Sequence, residues 1–281
     1  MMNVVGIGKA GCRIAGLLDE YPQYDVYKID VGLKKADRVF PITKRSSPSE
    51  YEEKFSKRIF SDLKKIKGNV LLIVGGGGSI SSCTLRVMEA LRHNTMELVY
   101  VKPDPSFLTE SGIILDKIVF NVLQEYARSG LLEKLYIVSN GEIEKVIGQI
   151  PVSRYYQKIN EIISSTLHMI NVYKNSTPAL SNIKEISGIS RISTIGIGTF
   201  EKMRDQMFYP IDYVGEKVYY FAINKKQLDK DEELLPKIKI RIKQEDSTIR
   251  TSFGVYPTPY DENYIYILAN TKIIQGVNYD E

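Results

Sequence analysis

Two glycine-rich turns, each directly behind an apolar run, constrain this chain more than any other feature. The first, Gly6-Ile7-Gly8-Lys9-Ala10-Gly11-Cys12-Arg13, follows Asn3-Val4-Val5. The second, Gly75-Gly76-Gly77-Gly78-Ser79-Ile80-Ser81-Ser82, follows Val70-Leu71-Leu72-Ile73-Val74. Both run on into helical patterns. A strand that breaks at glycines and opens a helix aims backbone N–H groups at one point, and phosphate is the usual occupant of such a point. Two of these turns on neighbouring strands predict a nucleotide whose phosphates are gripped from both sides.

The first half of the chain alternates in type. Strand-like runs at Asn3–Ile7, Tyr24–Ile29, Val70–Val74, Leu98–Val101 and Leu135–Val138 are separated by helical patterns at Ala10–Glu20, Pro48–Ile66, Ser82–His93 and Phe107–Arg128. That rhythm predicts an α/β fold with a doubly wound, mostly parallel sheet. Ser47 reads as a helix N-cap, Pro48 as the first helical residue and Glu50 as the capping-box partner. Ser153–Tyr173 reads as one long helix with Ile159, Ile162, Ile163, Leu167 and Ile170 on a repeating face. After the turn-rich Lys174–Pro178 the chain is strand-biased, at Ile192–Ile197, Lys217–Ile223, Lys237–Ile242, Ile249–Val255 and Tyr264–Leu268, the last two as long antiparallel strands. The expected organisation is a nucleotide-binding domain over 1–152, a linking helix over 153–174 and a smaller α+β domain over 175–281.

Composition narrows the function classes. The chain has 281 residues, 43% hydrophobic and 26% charged, which is ordinary globular composition. A net charge of +4 is small and scattered, so no nucleic-acid partner is expected. Cys12 and Cys83 argue against a disulfide framework and for a reducing, cytoplasmic setting, and both read as small buried residues. No signal peptide fits the Met1–Ile7 strand, and no apolar run is long enough to cross a bilayer, so no membrane partner is expected. His93 and His168 have no ligand spacing around them, so no metal site built by the protein is expected.

Gly6-x-Gly8-x-x-Gly11, with Asp30 nineteen residues after Gly11, matches the dinucleotide fingerprint. Alone it implies a Rossmann-type NAD-dependent oxidoreductase. That reading leaves the second turn unexplained, and the C-terminal half offers no recognisable hydride-transfer acid or base.

The order of the pieces resembles the tubulin/FtsZ family of GTP-binding polymer proteins. The family signature GGGTGTG ends a buried strand and opens a helix. Gly76, Gly77, Gly78, Ser79, Ile80, Ser81 and Ser82 stand at that place, with Ser79 and Ser81 keeping the threonine hydroxyls and Ile80 and Ser82 replacing glycines. The turn Gly8, Lys9, Ala10, Gly11, Cys12, Arg13 is similar to the family's first phosphate loop. Leu98–Pro103 looks like the FtsZ strand that ends in Lys-Pro, and Ile137–Asn140 looks like the strand ending in the guanine-contacting Asn. Tyr156 and Asn160, one helical turn apart, match the family's aromatic-plus-Asn guanine clamp; taken singly they also read as a partly exposed helix surface. Asp30 touches ribose or caps its strand. Gly196–Phe200 and the later strands resemble FtsZ's second domain, with Tyr256–Asn263 as a hairpin-like connection.

The resemblance implies GTP/GDP as ligand with Mg²⁺, and self-association into a head-to-tail homopolymer, with filament-regulating proteins as further partners. In this family an acid just after the long helix reaches across the filament contact to orient the attacking water. Here Leu180-Ser181-Asn182-Ile183-Lys184-Glu185 follows the long helix. Glu185 takes the place of the water-orienting acid, or is a solvated acid in a helix's first turn, and Asn182 stands where the first acid of the pattern is expected. Where the family has a glycine-containing loop, this chain has Thr43-Lys44-Arg45-Ser46-Ser47, whose cations either neutralise the terminal phosphate or form an exposed basic loop. The alternative within the fold is a non-polymerising or non-hydrolysing binding module that regulates another filament.

Overall fold

The computed structural model describes residues 1–184, 186–200 and 205–276. The chain forms two compact units, Met1–Ser164 with the segment from Ile274, and Ser165–Ile273. The first unit contains β1 (Met2–Ile7), α1 (Gly8–Leu18), β2 (Tyr24–Val31), β3 (Val39–Ile42), α2 (Pro48–Glu53), α3 (Lys57–Leu63) and β4 (Asn69–Gly75). A 3-10 turn over Ser79–Cys83 then leads into α4 (Thr84–Leu91), β5 (Thr95–Lys102), α5 (Glu110–Ser129), β6 (Lys134–Ser139) and α6 (Asn140–Ile147). α7 (Tyr155–Lys174) crosses from one unit into the other.

The six strands of the first unit pair in parallel in the order β3-β2-β1-β4-β5-β6. Parallel strands are covered on both faces and so read as near-continuous apolar runs. Val4, Val5, Val70–Val74, Leu98–Val101 and Leu135–Val138 are accordingly buried. The winding reverses between β1 and β4, and in such sheets the ligand crevice lies outside the carboxyl ends of the strands at the reversal. Both glycine turns leave the sheet there. At the other margin, β3 is blunted against strand addition: Val39 N already donates to Ala36 O, and Pro41 has no N–H.

The second unit holds β7 (Leu180–Ser181), β8 (Ile192–Gly198), β9 (Gln206–Met207), β10 (Glu216–Asn224), α8 (Lys225–Lys230), α9 (Leu234–Lys243), β11 (Arg250–Thr258) and β12 (Tyr264–Thr271). The strand order is β8-β12-β10-β11-β7, with β9 on β8. Only β10 and β11 pair in parallel among the described strands of this unit. Tyr219, Phe221, Ile223, Leu234, Ile238, Val255, Ile265 and Ile267 form its core.

The α/β class, the first-unit strands and both glycine turns stand as expected, and four local readings do not. Pro48–Ile66 is two helices, because Ser56 caps a new one by accepting from Ile59 N at 3.4 Å. The capping box is displaced by one residue: Glu50 accepts from Ser46 N and Oγ, and Ser47 makes no side-chain cap bond. Lys237–Ile242 is helix, not strand. Its alternating isoleucines mimic period two, but Leu234, Ile238 and Arg241 form the buried helical face while Ile240 is exposed. Arg241 can lie inside because Asp205 and Glu245 pair with it. β11 and β12 form no hairpin, since β10 lies between them.

Glycines let backbone approach backbone in the first unit. A Cβ on Gly11 would lie 2.1 Å from the Ile73 carbonyl oxygen, and one on Gly6 2.5 Å from the Gly11 oxygen. Backbone therefore meets backbone where α1 crosses β1 and β4. Gly11→Ala is expected to cost about 3 kcal/mol of stability in urea denaturation, through overpacking that rigid neighbours cannot relieve. Gly215→Ala, where a Cβ meets nothing within 4 Å, is expected to stay within about 0.5 kcal/mol of the parent.

Candidate functional site

The first turn becomes α1 without a loop residue between. Gly8 takes the left-handed conformation at φ +70°, which L side chains rarely adopt, and α1 starts there. No side chain caps α1, and no acid sits in its first turn, so the N–H groups of Gly8–Gly11 keep the positive end of the helix dipole open to an anion. Lys9 and Arg13 are exposed beside it, whereas Gly11 and Cys12 are buried. Cys12 Sγ donates to the Gly6 and Ile29 carbonyls at 3.3 and 3.5 Å. Asp30, at the end of β2, accepts from Val31 N at 2.7 Å. Partial burial raises its pKa, and the nearby Lys9 opposes that shift.

The second turn is shaped from beneath. A Cβ on Gly76 would fall 1.9 Å from Asp116 Oδ1 and 2.5 Å from the Tyr100 hydroxyl. Those two atoms are themselves bonded, with Tyr100 OH donating to Asp116 Oδ1 at 2.6 Å and Lys102 Nζ donating to Asp116 Oδ2 at 2.9 Å. Lys102 Nζ also sits 4.1 Å from the Phe120 ring centroid. Burial lowers the Lys102 pKa, and Asp116 counters it. Lys102 thus lies under the turn as part of its support. Gly77 is left-handed at φ +71° with Leu108 against it, and Gly78 faces open space. The two turns touch: a Cβ on Gly75 would lie 3.0 Å from Ala10 Cβ, and one on Gly8 3.7 Å from Ile80 Cβ. Ser79 is exposed, whereas Ser81 is buried.

At the same carboxyl edge β6 passes into α6, and Asn140 is the first helical residue. The start of α7 is tied to that edge by Tyr155, whose hydroxyl donates to Glu144 at 2.9 Å and whose ring stands edge-on to Phe107. Tyr156 follows, 50% exposed, with its ring edge-on to Tyr155. Asn160, one turn on, is 7% exposed. A recess of about 870 Å³ opens beside Tyr155, between Asp104, Gly141, Glu144 and Gln149.

Several buried polar atoms have no hydrogen-bond partner among the described residues, and Asn140 Oδ1 and Ser81 Oγ, with Thr84 Oγ1 at the start of α4, lie at this edge. An unpaired buried polar atom costs about 1–3 kcal/mol and calls for an explanation, of which an absent polar ligand is one. The donor set therefore fits a nucleotide: backbone N–H groups from both turns, hydroxyls at Ser79 and Ser81, and amides at Asn140 and Asn160. Lys102 and Ser82 stand in motifs the sequence singles out, but their partners do not: Asp116 lies fourteen positions from Lys102, and the Pro48 carbonyl that the Ser82 hydroxyl bonds lies 34 positions away.

Asn182 lies in the second unit, where its Oδ1 accepts from Phe253 N at 2.7 Å. Glu185 lies outside the described residues. Among the described residues no group of three or more His, Cys, Asp or Glu side chains is placed to hold a metal ion, and no helix is long and apolar enough to cross a membrane.

No protein-family model and no curated protein sequence matches the chain. Solved structures do. FtsZ from M. jannaschii, in an empty dimer, superposes with a TM-score of 0.68 at 14% identity over 96% of this chain and 88% of that one. A GTPγS-form protofilament of Bacillus thuringiensis serovar israelensis TubZ gives 0.70 at 15% identity over 96% and 86%. CetZ from Methanosaeta thermophila gives 0.70 at 12% over 97% and 86%. The chain has the tubulin/FtsZ fold.

Burial raises the pKa of both thiols from 9.0 to about 12, with Asp30 adding to the effect at Cys12. Because the folded values exceed the unfolded one, the stabilisation from burying neutral thiols is complete below pH 9 and is lost as pH climbs towards 12. Maleimide labelling at pH 7.5 is expected to be negligible in the folded protein and to follow the unfolding transition in urea. The urea midpoint is expected to fall between pH 9 and pH 11, and the fall should be shallower in Cys12→Ala/Cys83→Ala.

Proposed function

We propose that this protein binds GTP and GDP at the carboxyl edge of the first-unit sheet, stacks head to tail into filaments and hydrolyses GTP at each junction. The observation that carries the reading is a pair of unpartnered buried atoms at one edge of the sheet, Ser81 Oγ in the second of two touching glycine turns and Asn140 Oδ1 at the end of β6. The fold shared with FtsZ, TubZ and CetZ supports it. In this reading residues 1–152 hold the nucleotide, 153–174 are the linking helix and 175–281 are the second domain.

In this reading the backbone N–H groups of Gly8, Lys9, Ala10, Gly11, Cys12 and Arg13 face the phosphates from one side. Those of Gly76, Gly77, Gly78, Ser79, Ile80 and Ser81 face them from the other. Ser81 Oγ donates to a phosphate oxygen. Asp30, on the far side of both turns from β6, caps the end of β2 by accepting from Val31 N. Tyr156 stacks on the base, Asn140 Oδ1 accepts from a guanine N–H, and the Asn160 amide reads the same edge through a donor and an acceptor. GTP would supply the phosphoanhydride bond that is cut, and Mg²⁺ would offset the charge on its phosphates. Asn182 accepts from Phe253 N, and Glu185 of the neighbouring subunit orients the attacking water. A contact between two different faces repeats without closing, so it yields a filament.

The β3-β2-β1-β4-β5-β6 order is also that of dinucleotide-binding sheets. An NAD-dependent oxidoreductase would use the first turn and Asp30 but leaves Ser81 and Asn140 without a role.

Light scattering with electron microscopy tests the reading. Filaments are expected with GTP and with a non-hydrolysable analogue, and none with NADH. Scattering that ignores all nucleotides while GTP still binds would leave the non-polymerising module. Tyr156→Ala and Asn160→Ala are each expected to weaken GTP binding about tenfold, the worth of one stacking or buried amide contact, with the melting temperature held. Glu185→Gln should keep filaments and lose phosphate release; unchanged turnover in intact filaments would remove Glu185 from the mechanism.

A further inference from the structure

We propose that the outer surface of α8 and α9 docks on an anionic lipid bilayer, with lysines meeting the charged headgroups and Leu235 and Ile240 resting among them. The proposal stands on the second unit alone and does not depend on the nucleotide reading. It departs from the expectation drawn from the sequence, since a peripheral contact needs no spanning helix.

The chain's small excess of positive charge is gathered here. Between Lys225 and Lys243 stand seven lysines and arginines and four acids, a net +3 against +4 for the whole chain. Lys237 engages two of the acids, lying 3.0 Å from Glu233 and 4.0 Å from Asp231. Arg241 is turned inward to Asp205 and Glu245. Lys225, Lys226, Lys230, Lys239 and Lys243 are exposed, and their ammonium groups have no partner among the described residues. Asp229 and Glu232 are the remaining acids of the stretch. A surface with this many unengaged lysines is drawn to anionic lipid.

The fold presents these lysines outward. Side chains alternate across β10. Tyr219, Phe221 and Ile223 point into the core that Leu228, Leu234, Ile238 and Ile242 complete, whereas Tyr220 packs against Tyr173 of α7 on the opposite face. α8 and α9 therefore form the outer layer of the unit on that side. On α9, Leu234, Ile238 and Arg241 are buried, which leaves Pro236, Lys239, Ile240 and Lys243 on the opposite helical face. Ile240 is 51% exposed and Leu235 40%. Aliphatic tips beside long lysine stems suit the boundary between headgroups and acyl chains, where the stems lie on apolar surface and the ammonium reaches the lipid charge. A nucleic-acid partner would call for arginine and aromatic side chains, and a protein partner for aromatics, methionine and arginine in place of lysine. The stretch 225–243 has no aromatic and no methionine, and its one arginine is the buried Arg241.

The full-length, nucleotide-free protein is sedimented with vesicles of phosphatidylcholine alone and of phosphatidylcholine with phosphatidylserine, at low and at high salt. Binding to the mixed vesicles is expected, fading as salt rises, with none to phosphatidylcholine alone. Lys239→Ala/Lys243→Ala is expected to weaken binding to the mixed vesicles about thirtyfold, the worth of two lysines at an anionic surface. Ile240→Ser is expected to weaken it about threefold through lost apolar contact. Melting temperatures should stay at the parent value, because all three side chains are exposed. Lys35→Ala/Lys67→Ala, an equal loss of charge on the first unit, is expected to leave vesicle binding unchanged. Failure to bind the mixed vesicles, equal binding to both kinds of vesicle, or equal weakening by the two lysine pairs overturns the proposal. The same variants are titrated with a labelled DNA duplex. Tighter binding to the duplex than to the mixed vesicles, lost in Lys239→Ala/Lys243→Ala and kept in Ile240→Ser, also overturns it and assigns the surface to nucleic acid.

Discussion

Everything at the candidate site depends on one approach of backbone to backbone. α1 can cross β1 and β4 as closely as it does only because Gly6 and Gly11 carry no side chain, and Gly11 sits where a Cβ would reach 2.1 Å from the Ile73 carbonyl. That contact brings the start of α1 against the end of β4. The two glycine turns therefore touch, Ala10 against Gly75 and Gly8 against Ile80. A helix held off the sheet by side chains of ordinary size would leave them facing separate patches of solvent. Closeness here turns two weak anion-facing turns into one site.

The second constraint is electrostatic and lies just below. Asp116 receives the Tyr100 hydroxyl and the Lys102 ammonium, and its Oδ1 fills the space beneath Gly76. A buried ion pair stabilises little against an apolar alternative of the same shape, but removing one partner leaves an uncompensated charge inside. Its place under the second turn fits a role in fixing shape. The side chains at Ile80 and Ser82 act in the same sense from above, one packed over Gly8 and the other bonded to Pro48. A turn held on three sides keeps its conformation before any ligand arrives, which lowers the ordering cost of binding.

What could be read in the residues follows from the range over which each signal acts. Apolar runs such as Val70–Val74 and the glycines behind them are local, and they gave the parallel sheet and both turns directly. The long helix was legible because Ile159, Ile163, Leu167 and Ile170 repeat at helical spacing and are buried. β3 was missed: Val39-Phe40-Pro41-Ile42 is short and contains a proline that an interior strand would exclude. α9 was misread because Lys-Ile-Lys-Ile-Arg-Ile alternates, and the partners that let Arg241 lie inside, Asp205 and Glu245, are set by the tertiary fold. At the site, the residue types at Asn140, Tyr156 and Asn160 could be singled out from sequence. That Asn140 and Ser81 carry atoms without partners is a fact of three-dimensional burial.

The central claim is that the unpartnered atoms at the sheet's carboxyl edge await a guanine nucleotide. The measurement that meets it most directly is the melting temperature of the full-length protein with GTP, ATP or NADH at equal concentration, repeated in Asn140→Ala. Binding to the folded state alone raises the melting temperature by mass action. The account predicts protection by GTP well above that by ATP or NADH, and loss of the GTP-over-ATP difference in Asn140→Ala. Protection by NADH alone, or equal protection by GTP and ATP, would contradict it.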